Sequence, residues 1–293
     1  MQKDREIARE RNLFVYSVMK TLPLFLQQTF YNGGNYMNLD ASCSTDYQQL
    51  FLDSYSVLEN LPAITRVSDV ENNTFLMMTN DATHEPCDLQ MPEYEPRRHI
   101  DFNKNQAYEE EHKDRFVLNG TVLKADSPVR LQHYYVNMAV LLKMGDWFDY
   151  LKEQGVYDNT RIILVADHGR GLGQFDRLTS REGFDLEWFA PLLMVKDFDA
   201  KAFSTSEEFM TTADTPLLAM KGLIAEPENP FTGKRLTADS KNNGELMVLC
   251  SDIWNVEENN GNVYKEDKNN RWFRVHDNIW DPENWEMVQG PEK

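Results

Sequence analysis

The sequence predicts an α/β fold in which a mostly parallel sheet is flanked by helices and a small antiparallel region follows at the carboxyl-terminal end. Short apolar runs with the length of buried strands lie at 72–81, 161–167 and 191–198. A long amphipathic helix at 128–154 separates the first two runs, and a glycine-bearing loop joins the last two. This order of strand, helix and strand is typical of parallel sheets with crossover connections.

The first part of the chain is predicted to be helical. Residues 13–30 have an amphipathic pattern that Pro23 interrupts, and residues 46–59 place apolar and aromatic side chains on one face. The strand predicted at 72–81 leads into residues 82–96, where three prolines exclude regular structure. We therefore expect a buried strand that opens into a long irregular loop.

The second part of the chain supplies the rest of the expected sheet. Pro128 suits the first turn of the long helix, and Pro216 suits the first turn of another helix predicted at 211–224. The runs MVLCSDIW and RWFRVHDNIW predict the antiparallel strands near the end. We expect one domain over 1–293, with 236–293 as a small carboxyl-terminal subregion.

Composition and charge exclude several classes of protein. The hydrophobic content of 41% is that of a folded chain, so the net charge of −18 lies on its surface and repels phosphate backbones. Nucleic acid is therefore not expected as a partner. The three cysteines are far apart and odd in number, which indicates no disulfide framework. Lys20 and Pro23 interrupt the most apolar N-terminal stretch, so we expect a soluble chain with no membrane span or signal peptide.

The stretch RIILVADHG carries the main candidate site. Asp167 and His168 directly follow the predicted strand, where ligands of parallel sheets gather. A carboxylate oxygen beside an imidazole nitrogen suits zinc, manganese or a related divalent ion, and Gly169 lets the backbone turn away. His84 follows the end of the earlier predicted strand. The alternative is that the pair is a turn acid with a surface imidazole and that His84 is structural.

Two segments carry a resemblance to a known superfamily. GVYDNTRIILVADHG resembles the segment of the sulfatase and alkaline phosphatase superfamily in which a strand ends in DHG, and TNDATHEP resembles its upstream histidine loop. TTADTPLLAMKGL is similar to a helix start of the same superfamily. Within it, the chain looks most like bacterial lipoteichoic acid synthase-type phosphoglycerol and phosphoethanolamine transferases, over residues 70–235.

The resemblance implies roles for three residues. Asp167 and His168 match two ligands of a divalent ion (Mn, Zn, Mg or Ca), and His84 matches the catalytic histidine that contacts the transferred phosphate or sulfate. In that superfamily the ion activates a Thr, Ser or formylglycine nucleophile, and the intermediate is covalent. Phosphate or sulfate esters are the implied substrates, and the extracellular face of the bacterial membrane is the implied location of the parent enzyme.

The superfamily's nucleophile and its first acidic ligand have no counterpart in the sequence. Ser44 and Thr45 precede a predicted helix, a position where Ser and Thr usually act as N-caps. We therefore expect either the carboxyl-terminal part of a larger enzyme, with the missing N-terminal part as its partner, or a reduced relative. In both cases we expect the chain by itself to be inactive.

Two other functions stay open. One is a non-catalytic α/β module that binds protein or glycan, for which Trp272, Trp280 and Trp285 are candidates. The other is a complete but divergent phosphomutase or nucleotide pyrophosphatase, which needs ligands for a second ion. Asp214 and His276 are the candidates for those ligands.

The remaining histidines and two cations have weaker signals. His99, His112 and His133 lie in charged or helical settings where contact with solvent explains them. Arg170 and Lys196 lie near predicted strand ends, where a cation can hold an anionic ester. Each of these two is also a plausible partner of a loop or of the surface.

Overall fold

The computed structural model describes most of the chain between residues 14 and 289. The described residues are 14, 16–31, 47–69, 73–97, 99–118, 120–206, 208, 210–229, 233–236, 246–250 and 271–289. Ser44 and Thr45 lie outside them, as does much of the predicted subregion 236–293. Within the described part, the fold combines helices with small antiparallel sheets.

The helices follow the sequence pattern closely. Residues 16–21 are helical, and the chain breaks at Pro23 as predicted. The α-helices that follow are α1 (Leu24–Tyr31), α2 (Tyr47–Glu59), α3 (Leu61–Ile64), α4 (Phe102–Glu111), α5 (Pro128–Glu153) and α6 (Thr215–Met220). Short 3₁₀ turns are Lys113–Phe116, Asp176–Leu178, Leu186–Phe189, Thr212–Asp214 and Pro282–Asn284.

Helix α5 begins where its capping residues predict. The Ser127 hydroxyl accepts a hydrogen bond from the backbone N–H of Arg130 at 3.4 Å, and Pro128 occupies the first turn, where no N–H is needed. Seven of its side chains are buried: His133, Tyr135, Val136, Ala139, Met144, Trp147 and Leu151. Burial of this apolar face, rather than helix propensity alone, stabilises the helix.

The described strands pair only in antiparallel fashion, so the predicted parallel sheet is not present among them. The pairs are β1 (Val117–Leu118) with β2 (Thr121–Val122), β3 (Ile162–Val165) with β4 (Leu193–Lys196), and β5 (Leu246–Cys250), β6 (Arg271–Val275) and β7 (Trp285–Val288) in order. In the β3–β4 register, Ile162 faces Lys196 and Val165 faces Leu193. Parallel neighbours need a crossover, usually a helix, whereas the β3–β4 connection contains only 3₁₀ turns. The predicted antiparallel region near the end is confirmed by β5, β6 and β7.

The strand predicted at 72–81 does not form within its described residues, 73–81. The apolar side chains there are exposed instead of buried, with Phe75 at 80%, Leu76 at 66% and Met77 at 78% of full exposure. A strand exists only when a neighbour bonds its backbone, and no described strand pairs with this segment. The apolar run identified a segment suited to a sheet but could not supply its partner.

Two hydrophobic clusters hold the described part together. The larger cluster joins α2, α3, α5 and Ile162 to the proline-containing loop, whose Leu89 and Met91 are fully buried. The smaller cluster joins β6 and β7 to the 3₁₀ turns around Leu178 and Leu186. The candidate site lies on the segment that connects β3 to these turns.

In the described residues, no helix combines the length and the apolar character that crossing a bilayer requires.

Candidate functional site

Asp167 and His168 follow the end of β3, as the sequence predicts. The strand's last contact is the backbone N–H of Ala166, which donates to the Leu192 carbonyl oxygen at 2.9 Å. Beyond this point the chain no longer pairs with the β4 segment. The side chains of Asp167 and His168 are 90% and 50% exposed. Both groups are therefore accessible from solvent.

The His168 ring is oriented by its own backbone. Its Nδ1 lies 2.6 Å from the carbonyl oxygen of Gly169. Because a carbonyl oxygen only accepts, Nδ1 carries the proton in this contact, and the neutral ring keeps its lone pair on Nε2. That Nε2 lies 3.8 Å from Oδ2 of Asp167. The backbone N–H of His168 also donates to Oδ1 of Asp167 at 3.0 Å, which ties the carboxylate to the same turn.

This geometry suits two donors of one divalent ion. Ligands about 2.1 Å from a tetrahedral ion stand about 3.4 Å apart, so Nε2 and Oδ2 need to move by only a few tenths of an ångström. A protonated Nδ1 bonded to a carbonyl oxygen is the usual arrangement behind a metal-binding imidazole. In the described residues, however, no group of three His, Cys, Asp or Glu side chains is placed to hold a metal ion. The described site thus offers a pair of donors.

The loop after His168 is packed against the 3₁₀ turn Leu186–Phe189. The backbone N–H of Gly169 donates to the Trp188 carbonyl oxygen at 2.9 Å. A Cβ atom at Gly169 would overlap the Glu187 carbonyl oxygen, and one at Gly171 would overlap the Trp188 indole. Glycine is required at these positions because no side chain fits between the two segments.

Two acidic side chains, the buried Glu187 and the half-buried Asp185, accept hydrogen bonds from the backbone of the same loop. The Glu187 carboxylate accepts hydrogen bonds from the backbone N–H groups of Leu172 at 3.1 Å and Phe175 at 2.7 Å. The Asp185 carboxylate accepts one from Gly173 at 3.0 Å. No sequence pattern singles out either acid, because their partners are backbone groups more than ten residues away.

Helix α5 holds the loop from the other side. Arg130 donates from Nε to the Leu172 carbonyl oxygen at 2.8 Å and from Nη2 to that of Gly173 at 3.2 Å. Lys124, just before the helix, donates from Nζ to the Gly173 carbonyl oxygen at 2.7 Å. The segment that begins with Asp167 and His168 is therefore fixed by contacts to α5 and to the Leu186–Phe189 turn.

A cavity of about 170 Å³ adjoins the pair. Asp167, His168 and Thr211 contribute polar groups to its lining, and Phe189, Val248 and Trp285 contribute apolar walls. Ligand pockets for drug-sized molecules measure about 300–1,000 Å³, so this space suits a small group. The cavity joins the DHG strand end to the carboxyl-terminal sheet, a contact that the sequence did not predict.

His84 lies in a turn at the start of the proline-containing loop. Its backbone N–H donates to the Asp81 carbonyl oxygen at 3.0 Å, and its Nδ1 lies 3.0 Å from Oε1 of Glu85. The side chain of His84 is 59% exposed. Nearby, Asn80 anchors the turn by donating to the Ser54 carbonyl oxygen of α2 at 2.9 Å.

His133 is buried, although its sequence setting predicts a solvated side chain. It is only 3% exposed and lies on the buried face of α5. Burial has the largest effect and lowers its pKa, Arg170 lowers it further, Glu85 raises it, and His84 has the smallest effect and lowers it. His133 lies three residues before the buried Val136, and residues at this spacing share one face of a helix, which is the sequence pattern that indicates its burial.

The other candidates have structural partners. Asp214 is buried in a capping box, where its carboxylate accepts hydrogen bonds from Thr211 N at 2.7 Å and Thr211 Oγ1 at 3.1 Å. His276 Nδ1 lies 2.9 Å from the Asp277 carboxylate. Lys196 donates to the Thr160 carbonyl oxygen at 2.8 Å and also to that of Tyr157, and burial lowers its pKa.

The tryptophans differ in exposure. Trp285 is 4% exposed, and its indole N–H donates to the Ile279 carbonyl oxygen at 2.9 Å. Trp280 is 44% exposed, and Trp272 is half-buried. Trp285 is therefore a packing anchor, which removes it from a glycan-binding surface.

Comparison of the chain with protein-family models, curated proteins and solved structures found no match. The superfamily resemblance therefore rests on the quoted residues.

Proposed function

We propose that the chain is part of a metal-dependent sulfatase-like enzyme that transfers or hydrolyses phosphate or sulfate esters. The observation that carries the proposal is the 3.8 Å separation between His168 Nε2 and Asp167 Oδ2 at the end of β3, with Nδ1 of His168 bonded to Gly169. Asp167 and His168 would hold a divalent ion, Mn, Zn, Mg or Ca. When bound, such an ion supplies stabilisation of negative charge on ester oxygens.

In this proposal, His84 is the catalytic histidine that protonates the leaving group. Its exposed ring beside Glu85 can exchange protons with solvent, and the carboxylate orients Nδ1. The nucleophile is assigned to a further N-terminal part of the enzyme, so the chain alone should show negligible turnover. For the parent enzyme we also propose a mostly parallel sheet. Its proposed location is the extracellular face of a bacterial membrane.

A metal titration tests the proposal directly. We expect calorimetry to show weak binding of Mn²⁺ or Zn²⁺ to the wild type, because catalytic sites normally provide at least three protein ligands. Asp167→Ala and His168→Gln should each lower the affinity about tenfold or more, because loss of only a hydrogen-bond partner behind a metal ligand already has an effect of that size. Vigorous turnover of p-nitrophenyl phosphate or sulfate by the chain would contradict the assignment of the nucleophile to another part.

Asp277 provides the matched control. It also neighbours a histidine, but Nδ1 of His276 itself contacts the Asp277 carboxylate at 2.9 Å. Asp277→Ala should leave metal affinity unchanged. Equal losses in Asp277→Ala and Asp167→Ala would show that the measured binding is a general effect of acidic side chains, and the ligand assignment would be withdrawn.

The second candidate function is a non-catalytic module that binds another polypeptide. The observation in its favour is the exposed apolar run at Phe75, Leu76 and Met77, whose segment forms no strand with the described residues. Exposed contiguous apolar surface commonly marks a protein contact. Intact folding without metal affinity would favour this candidate over the enzyme, and the metal titration therefore separates the two.

A further inference from the structure

His133 presents a buried polar atom that the proposed mechanism does not use. The residue is 3% exposed, and its Nε2 has no hydrogen-bond partner among the described residues. Buried side-chain nitrogens are paired in most proteins, because an unpaired one loses its hydration without compensation. A buried imidazole nitrogen without a protein partner is therefore a candidate for contact with a ligand.

Hydrogen bonds of neighbouring residues place His133 between the two loops of the candidate site. One residue before it, Gln132 donates to the Asp88 carboxylate at 2.9 Å, which ties α5 to the loop that begins near His84. Three residues before it, Arg130 donates to the Leu172 carbonyl oxygen at 2.8 Å. The first turns of α5 thus bridge the His84 loop and the loop that contains Arg170.

The side chains that act on His133 include one cation, Arg170, and one acid, Glu85. Burial, Arg170 and His84 lower its pKa, and only Glu85 acts in the opposite direction. Glu85 is already in contact with His84 at 3.0 Å. Arg170 lies over the Trp188 ring at 5.3 Å, and no carboxylate within the described part of the chain forms an ion pair with it. In a protein of net charge −18, an arginine without a carboxylate partner among the described residues is an available contact for an anion.

We propose that His133, Arg170 and His84 bind a tetrahedral oxyanion, with the Nε2–H tautomer of His133 donating to one of its oxygens. The inference rests on the proposed function, because the anion would be the phosphoryl or sulfuryl group of the ester. It adds His133 and Arg170 as binding residues. Hydrogen bonds to a charged oxygen are stronger than those between neutral groups, so an anion oxygen would satisfy the hydrogen-bonding capacity of the buried Nε2.

The test uses the full chain, inorganic phosphate and sulfate, and a chelator that removes divalent ions. Histidine ring resonances are followed by NMR during titration with each anion. We expect saturable shifts of the His133 ring and a rise in its pKa on phosphate binding, since a bound anion stabilises the imidazolium form. His133→Gln and Arg170→Gln should each weaken phosphate binding about tenfold or more.

His99→Gln is the control, because His99 is exposed and no hydrogen bond or ion pair among the described residues joins it to this group. Absence of saturable binding, or shifts confined to His84, would overturn the inference. If His133→Gln does not fold, the wild-type titration and Arg170→Gln decide, since Arg170 lies on the loop surface. Anion binding without metal binding would overturn the proposed metal site and leave this inference intact. Metal binding without anion binding would overturn this inference and leave the proposed metal site intact.

Discussion

The Glu187 carboxylate accepts a hydrogen bond from the backbone N–H of Phe175 at 2.7 Å. Its other oxygen accepts one from Leu172 at 3.1 Å, and the residue is only 7% exposed. Burying a carboxylate is unfavourable unless donors satisfy it, and here both oxygens have backbone donors. The acid therefore fixes the loop that follows His168 to the Leu186–Phe189 turn.

Glu187→Ala should destabilise the protein by about 1–3 kcal/mol, because the substitution leaves two N–H groups without their acceptors. Denaturant unfolding measures the loss, and hydrogen exchange at Leu172 and Phe175 should accelerate more than elsewhere. Glu182→Ala, at an exposed position, should stay within about 0.5 kcal/mol of the wild type. Unchanged exchange at both amides in Glu187→Ala would show that the carboxylate does not hold this loop.

Gly169→Ala should be strongly destabilising, and Gly145→Ala should be stabilising. At Gly169 a Cβ would overlap the Glu187 backbone carbonyl, which cannot move without displacing the turn. At Gly145, inside α5, no described atom apart from the nearby backbone of the helix itself lies within 4 Å of the added atom, so alanine gains about 0.5–1 kcal/mol of helix stability. Thermal unfolding of both variants provides the comparison. A tolerated Gly169→Ala would mean that the His168 loop does not pack as described.

Asp197→Asn should reduce stability at neutral pH and flatten its dependence on pH in the acid range. Asp197 Oδ1 accepts hydrogen bonds from Arg161 Nε at 2.9 Å and Nη2 at 2.8 Å, and these hold its pKa below the ordinary value. A lowered folded-state pKa gives stability that is present above the unfolded value, about 3.9, and is lost as the pH falls through the folded value.

Urea unfolding of the wild type and Asp197→Asn between about pH 3 and pH 6 checks this expectation. The two curves should converge at the acid end, where the wild-type carboxyl is also protonated. Asp199→Asn is the control, because Asp199 is exposed and accepts none of the Arg161 hydrogen bonds. Parallel curves for wild type and Asp197→Asn would exclude the Arg161 contact as a source of acid sensitivity.

Local patterns determined which parts of the fold could be predicted. Helix α5 and the antiparallel β5–β7 region have periodicities and flanking residues that act over a few positions. The segment 73–81 depends on a partner strand, and the direction of β3 depends on a connection that returns without a helix. The same distinction holds at the site. Asp167 and His168 were recognisable from their order, whereas the Glu187 contacts and the burial of His133 arise only from packing.

His133 should add a separate pH range, called here the His133 limb, over which the free energy of unfolding changes with pH. Its folded-state pKa is lowered chiefly by burial, so on acidification the unfolded chain takes up a proton at about pH 6.5 while the folded protein does not. The unfolding free energy should therefore fall as the pH drops from about 6.5 toward the folded-state pKa, with a slope of at most about 1.4 kcal/mol per pH unit. This limb lies well above the one expected for Asp197.

His133→Gln should remove that limb, and His99→Gln, at an exposed position, controls for the loss of a histidine. Denaturant unfolding between about pH 5 and pH 8 resolves the difference. Saturating inorganic phosphate should weaken the limb in the wild type, because an anion at Nε2 raises the folded-state pKa toward the unfolded value. A limb that persists in His133→Gln would locate the titrating group elsewhere. A limb that phosphate leaves unchanged would mean that the buried imidazole is a packing residue and not a contact for the anion.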